Sequence, residues 1–127
     1  MASSNASQLN TIARRGAVAI AWSLAAFIVF ATLGPQSLRP HLGPAQLERF
    51  GAYFVTTAAF VAAYPSRPRL IGMAGVAAAV LLELAQALAP GRDPGVPDAI
   101  AKALGALAGV AASVGLLIVV FPRWREN

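Results

Sequence analysis

The stretch GAVAIAWSLAAFIVFATL, residues 16–33, decides the fold. It contains no charged side chain, and the first charge after Arg15 is Arg39. As an α-helix it would be about 27 Å long, at about 1.5 Å per residue. This length nearly matches the hydrocarbon core of a bilayer, which is about 30 Å thick. The stretch therefore predicts a membrane-spanning helix, which Gly34 and Pro35 bring to an end.

The composition of the whole chain also favours a membrane protein. Of its 127 residues, 57% are hydrophobic and 12% are charged, whereas soluble domains have about 25% charged residues. The net charge of +5 does not indicate nucleic-acid binding, because the basic residues are spread over termini and short loops. With one histidine and no cysteine, the chain is not expected to have a zinc site or a disulfide. No other metal or cofactor is expected.

Prolines and glycines bound three further apolar segments, each long enough for a helix. We predict an all-α fold, an integral membrane bundle of four transmembrane helices over residues 16–121. Residues 1–15 and 122–127 are predicted to be cytoplasmic tails. The apolar part of the second helix is short, so its charged first turns are expected at the membrane interface. The second, third and fourth helices are predicted over residues 44–64, 70–88 and 97–121.

The distribution of Lys and Arg predicts the orientation in the membrane. With four spans both termini lie on one side, and the positive-inside rule puts the more basic side in the cytoplasm. Lys102 lies within the fourth helix and is not counted. Both termini are therefore expected in the cytoplasm, with the first and third loops in the periplasm of a bacterium. The side of the termini has Arg14, Arg15, Arg67, Arg69, Arg123 and Arg125, and the other side has Arg39, Arg49 and Arg92.

Glu83 is an ionisable residue within an otherwise apolar helix. Such a group costs about 2–3 kcal/mol or more in a bilayer and normally faces the protein interior. Helical spacing puts it on one face with small residues, which allow close helix packing, and puts leucines on the opposite face. We expect the first face to contact other helices and the second to contact lipid. The first face holds Gly72, Gly75, Ala79, Glu83 and Gln86, and the second Leu81, Leu84 and Leu88.

The second and fourth helices have similar stripes of polar and small residues, and the polar ends of all three helices lie on the predicted outer side. In the fourth helix the stripe includes Gly105 and Gly109, a close-packing signal that also leaves a homo-oligomer open. The stripes are Arg49, Tyr53, Thr56 and Phe60 in the second helix, and Asp98, Lys102, Gly105, Gly109 and Ser113 in the fourth.

These stripes predict a ligand-binding cluster near the periplasmic face. The alternative is purely structural: ion pairs of Glu83 with Lys102 or Arg49, or of Asp98 with Lys102, would only fix helix register. Two of the aromatic residues, Tyr53 and Tyr64, are candidates for an interfacial belt. The predicted cluster consists of Glu48, Arg49, Tyr53, Glu83, Gln86, Arg92, Asp98 and Lys102.

The order and spacing of several motifs over about residues 33–109 resemble the VanZ-like family of small bacterial membrane proteins. The resemblance implies a helical protein of the bacterial inner membrane with a role in the cell envelope. The matching motifs are Arg49-Phe50-Gly51-Ala52-Tyr53, Glu83-x-x-Gln86, Pro90-Gly91-Arg92 and Asp98-x-x-x-Lys102-x-x-Gly105-x-x-x-Gly109.

The resemblance implies that this chain is a divergent member of the family. The family commonly has an Asp-Lys pair where this chain has Ala45 and Gln46, histidine at the place of Arg49, and asparagine at the place of Lys102. Two cations at these places indicate either an anionic ligand or charge balance with the carboxylates of the cluster.

The leading hypothesis is a binding or accessory protein for an anionic envelope component, such as a lipid-linked glycan precursor or a lipid head group. Arg49, Arg92 and Lys102 would contact phosphate or carboxylate groups, and Glu83, Gln86 and Asp98 would orient them. One alternative is a membrane-embedded enzyme acting on a lipid-linked substrate, with Glu83 or Asp98 as general acid or base. Another is an ion-coupled permeation path through Glu83.

Overall fold

The computed structural model describes residues 2–33, 45–88 and 95–120. The all-α prediction is confirmed for these residues, which form four helices and no strand. The helix ends lie close to the predicted ones, except at the beginning of the first helix. The helices are α1 (Ala2–Leu33), α2 (Ala45–Ala63), α3 (Pro68–Ala87) and α4 (Val96–Val120).

α1 begins at Ala2, so residues 2–15 continue the helix where the sequence predicts a tail. No proline or glycine interrupts this part. Two of its hydroxyl groups form hydrogen bonds within the helix: Ser7 donates to the Ser4 carbonyl and Thr11 donates to the Ser7 carbonyl, both at 2.9 Å. The full helix is about 48 Å long at about 1.5 Å per residue. It is therefore longer than the bilayer core of about 30 Å.

Three of the helices, α1, α3 and α4, are long and apolar enough to cross a membrane, which points to a membrane protein. α2 is not among them by length and composition. The predicted faces of α3 are confirmed: Leu81, Leu84 and Leu88 are exposed on the surface of the bundle. On the opposite face Gly72, Ala79, Glu83 and Gln86 are buried.

α2 lies at the centre of the bundle and contacts each of the other three helices. Its buried residues include Tyr53, Thr57 and Val61. The Thr57 hydroxyl donates across the interface to the Ala106 carbonyl of α4, at 2.9 Å. The core cluster takes one buried residue from each helix, Ile28, Tyr53, Ala79 and Ala106. The polar residues in the middle of α2, Tyr53, Thr56 and Thr57, thus face protein.

Gly105 and Gly109 allow α4 to approach α2 closely. A Cβ atom at Gly105 would collide with the Phe50 carbonyl, and one at Gly109 would collide with the Phe54 carbonyl and the Thr57 hydroxyl. The close packing predicted from these two glycines is therefore confirmed. Backbone atoms cannot rotate away as a flexible side chain can, so a larger residue would push the two helices apart.

Gly109→Ala is expected to lower the stability of the protein by about 1–3 kcal/mol, the usual cost of overpacking a core. Gly115→Ala is the matched control, since a Cβ atom there meets nothing within 4 Å. In a helix that control change is neutral or stabilising, by up to about 1 kcal/mol. Thermal unfolding of the purified protein in detergent measures both, and equal midpoints for the two variants would contradict the close approach of α2 and α4.

Candidate polar site at one end of the bundle

Alternating helix directions bring the polar ends of the helices to one end of the bundle. This end holds the last turn of α1, the first turns of α2 and α4, and the last turns of α3. Of the predicted site residues, Arg49, Glu83, Gln86, Asp98 and Lys102 are held there by polar contacts. Glu48, also predicted, lies in the first turn of α2 and is half-buried, and Arg92 lies outside the described residues.

Glu83 and Lys102 form an inner ion pair that joins α3 to α4. Lys102 Nζ lies 2.7 Å from Glu83 Oε2, and the two side chains are 4% and 9% exposed. The backbone N–H of Gly95, just before α4, donates to Glu83 Oε1 at 3.0 Å. Both carboxylate oxygens therefore accept hydrogen bonds from the protein itself, as a buried charge requires.

Arg49 and Asp98 form an outer ion pair that joins α2 to α4. Arg49 Nη1 lies 3.0 Å from Asp98 Oδ1, and the side chains are 18% and 16% exposed. Gln46 Nε2 donates to the same oxygen at 2.6 Å. Asp98 is in the first turn of α4, where the helix dipole favours a negative charge. The predicted cluster omits Gln46, although it lies one turn before Arg49 on the same stripe and could have been found there.

Gln86 ties α3 to the end of α1. Its Nε2 donates to the Thr32 carbonyl at 3.0 Å, and both residues are buried. Thr32 lies in the last turn of α1, where carbonyl groups have no partner within the helix. A backbone acceptor carries no residue-type signal, so the sequence could not have indicated it.

Tyr53 lies one helical turn from Arg49 on α2 and is 4% exposed, so it is a bundle residue and not an interfacial belt residue. Among the described residues, its hydroxyl group is a buried polar atom without a hydrogen-bond partner. Tyr64 accepts a hydrogen bond from Trp22 Nε1 at 3.2 Å. The two tyrosines that the sequence treats alike thus have different environments.

The two described cations of the cluster are balanced by carboxylates. Lys102 pairs with Glu83, and Asp98 pairs with Arg49 and not with Lys102 one turn away. An anion that binds here must compete with a carboxylate, and the partly exposed outer pair is more accessible than the inner one. Glu83, with both oxygens engaged, is suited to positioning α4 more than to proton transfer. No group of three or more potential metal ligands occurs among the described residues.

Glu83→Gln is expected to lower the free energy of unfolding by about 3–5 kcal/mol, because it leaves the Lys102 ammonium buried without its carboxylate. The double variant Glu83→Gln with Lys102→Met removes both charges and should recover a large part of this loss. Asp98→Asn in the more exposed outer pair should cost less. Denaturant unfolding in detergent gives the three values, and simple additivity in the double variant would show that the inner pair is not coupled.

No protein-family model, no curated protein and no solved structure matches this chain. The resemblance to the VanZ-like family therefore stays a prediction that depends on the order and spacing of the sequence motifs.

Proposed function

We propose that the chain is a four-span protein of the bacterial inner membrane and a divergent VanZ-like protein, with both termini in the cytoplasm. At its periplasmic face it acts as a binding or accessory protein for an anionic component of the cell envelope. A phospholipid head group and a lipid-linked glycan precursor share the required phosphate chemistry. The observation that carries the proposal is the partly exposed Arg49–Asp98 pair above a buried ion pair.

The position of α2 supports four spans in spite of its low hydropathy. A helix that packs on three neighbours presents little surface to lipid, so its polar residues do not meet hydrocarbon. Thr56 and Thr57 are buried, and their hydroxyl groups donate to the carbonyls of Ala52 and Ala106. Hydropathy along a single helix underestimates the ability of such a helix to cross a membrane.

Cysteine labelling separates four spans from three. The chain has no cysteine of its own, and Ser4 and Ser66 are exposed on α1 and on the turn between α2 and α3. With four spans, Ser4→Cys and Ser66→Cys both lie in the cytoplasm, and a membrane-impermeant maleimide labels them only after spheroplasts are permeabilised. If α2 does not cross, the two cysteines react from opposite sides. Leu88→Cys, after α3, gives the complementary result: it reacts without permeabilisation if α2 crosses, and only after permeabilisation if α2 does not.

The outer pair suits a ligand that exchanges with a side chain. The Nη1–Oδ1 bond uses one of the five N–H donors of the Arg49 guanidinium. A phosphate oxygen can take the place of the Asp98 carboxylate, and guanidinium–phosphate bonds are among the stronger polar contacts in proteins. Asp98 thus competes with the ligand, whereas Glu83 and Lys102 hold α3 and α4 in place beneath it.

Binding of dioleoyl phosphatidylglycerol, with dioleoyl phosphatidylcholine for comparison, tests this function. The wild type should prefer the anionic lipid, and Arg49→Gln should weaken that preference by about tenfold, the loss of one charge-assisted hydrogen bond. Asp98→Asn should strengthen binding of the anionic lipid, because it removes the competing charge. Native mass spectrometry of the purified protein gives the affinities.

Arg69→Gln is the matched control, since Arg69 is exposed near the beginning of α3, at the other end of the bundle. A phosphatidylglycerol preference that survives Arg49→Gln would sink the proposed function. Turnover of the lipid that disappears in Asp98→Asn would favour a membrane-embedded enzyme instead.

A further inference from the structure

A cavity of about 440 Å³ lies between α1, α2 and α3, beside the polar site. We call it the side cavity. Its lining is mostly apolar and includes Ile28, Phe60, Ala78 and Leu82. Trp22, also in the lining, is exposed, so the side cavity opens on the surface of the bundle, where a membrane places hydrocarbon.

The buried polar groups in the lining of the side cavity are engaged, except one, and the remaining cation in the lining, Arg67, is exposed. The Thr56 and Thr57 hydroxyls donate to backbone carbonyls, and Trp22 Nε1 donates to Tyr64 Oη. Tyr53 also lines the side cavity, and its buried hydroxyl has no partner in the described part of the chain. An unpaired buried hydroxyl is costly, so this group is suited to donate to an acceptor on a ligand at the outer end of the side cavity.

The dimensions of the side cavity fit one hydrocarbon chain. It extends from Tyr53 to Tyr64 along α2, about 16 Å, and from Leu70 to Leu82 along α3, about 18 Å, at about 1.5 Å per residue. An acyl chain covers one leaflet, half of the bilayer core, or about 15 Å. The inner end of the side cavity lies at the turn between α2 and α3, where Tyr64 and Arg67 line it and where Trp22 and Phe60 pack edge to face.

The order of groups along α2 matches the order of groups in a glycerophospholipid. Arg49, the proposed phosphate contact, lies one turn before Tyr53, and side chains at this spacing are about 5–6 Å apart at Cβ. In a glycerophospholipid the ester carbonyls follow the phosphate on the hydrocarbon side, and the acyl chains come next. From the outer end inward, the cation, the hydroxyl donor and the apolar cavity thus follow the same order as the phosphate, the ester carbonyl and the acyl chain of the lipid.

We propose that the side cavity holds one acyl chain of an outer-leaflet glycerophospholipid, whose ester carbonyl accepts a hydrogen bond from Tyr53. This inference rests on the proposed function for the phosphate contact at Arg49. The acyl chain and the ester carbonyl are recognised by different residues and can be tested separately from the head group.

Three measurements test the inference, with dioleoyl phosphatidylglycerol and its diether analogue, which lacks the ester carbonyls, as probes. Ala78→Leu fills the side cavity and should weaken binding of both lipids at least tenfold. Ala77→Leu, an exposed neighbour outside the lining, is the matched control and should bind as the wild type does. The wild type should prefer the ester lipid about three- to tenfold, the value of one hydrogen bond, and Tyr53→Phe should lose this preference.

Tyr53→Phe should keep the thermal unfolding midpoint of the lipid-free protein, because the hydroxyl bonds to nothing in the described bundle. Equal binding of ester and diether lipids by the wild type, or full binding by Ala78→Leu, would overturn the inference. If chain-dependent binding persists without any preference for phosphatidylglycerol over phosphatidylcholine, the proposed function fails and the cavity assignment stands. If that preference persists in Ala78→Leu and Tyr53→Phe at full affinity, the reverse holds.

Discussion

The buried contact between Glu83 and Lys102 is the constraint on which this end of the bundle depends. The two side chains are almost fully buried, and buried charges are stable only when they are paired and hydrogen-bonded. The pair sets the register of α3 against α4, and the Gly95 N–H fixes the chain that enters α4. Asp98, one turn before Lys102, is thereby brought to Arg49 of α2. The outer pair is therefore positioned by the inner one.

α2 is the one described helix that is not long and apolar enough by itself to cross a membrane, and it lies at the centre of the bundle. Its threonine hydroxyls satisfy carbonyls within α2 and across to α4, and Gly105 and Gly109 remove the side chains that would keep α4 away. The polar residues in the middle of α2 are buried because α2 packs against the other three helices. The close packing of α2 against α4 and the burial of polar residues of α2 thus both follow from the central position of α2.

The two ion pairs of the site differ in how much of their surface is exposed. The inner pair has little access from outside and is engaged on every carboxylate oxygen, so it serves as structure. The outer pair is partly exposed, so its cation is more accessible to another partner than Lys102 is. Below it the unpaired Tyr53 hydroxyl borders the side cavity. In the proposed function an anionic lipid would use the outer pair, and its chain would use the cavity.

The sequence alone determined the four helices, most of their ends and the buried face of α3, because apolar periodicity and proline act locally along the chain. It also predicted most members of the polar cluster, since polar residues on three apolar helices are costly to expose to lipid and must face inward. It left open which carboxylate pairs with which cation, and it missed the helical residues 2–15, the contact of Gln46 and the side cavity. Arg49 and Asp98 are 49 positions apart, and a cavity is bounded by three helices at once. Only the packing of the helices decided these, because such contacts depend on distances in space that no local pattern records.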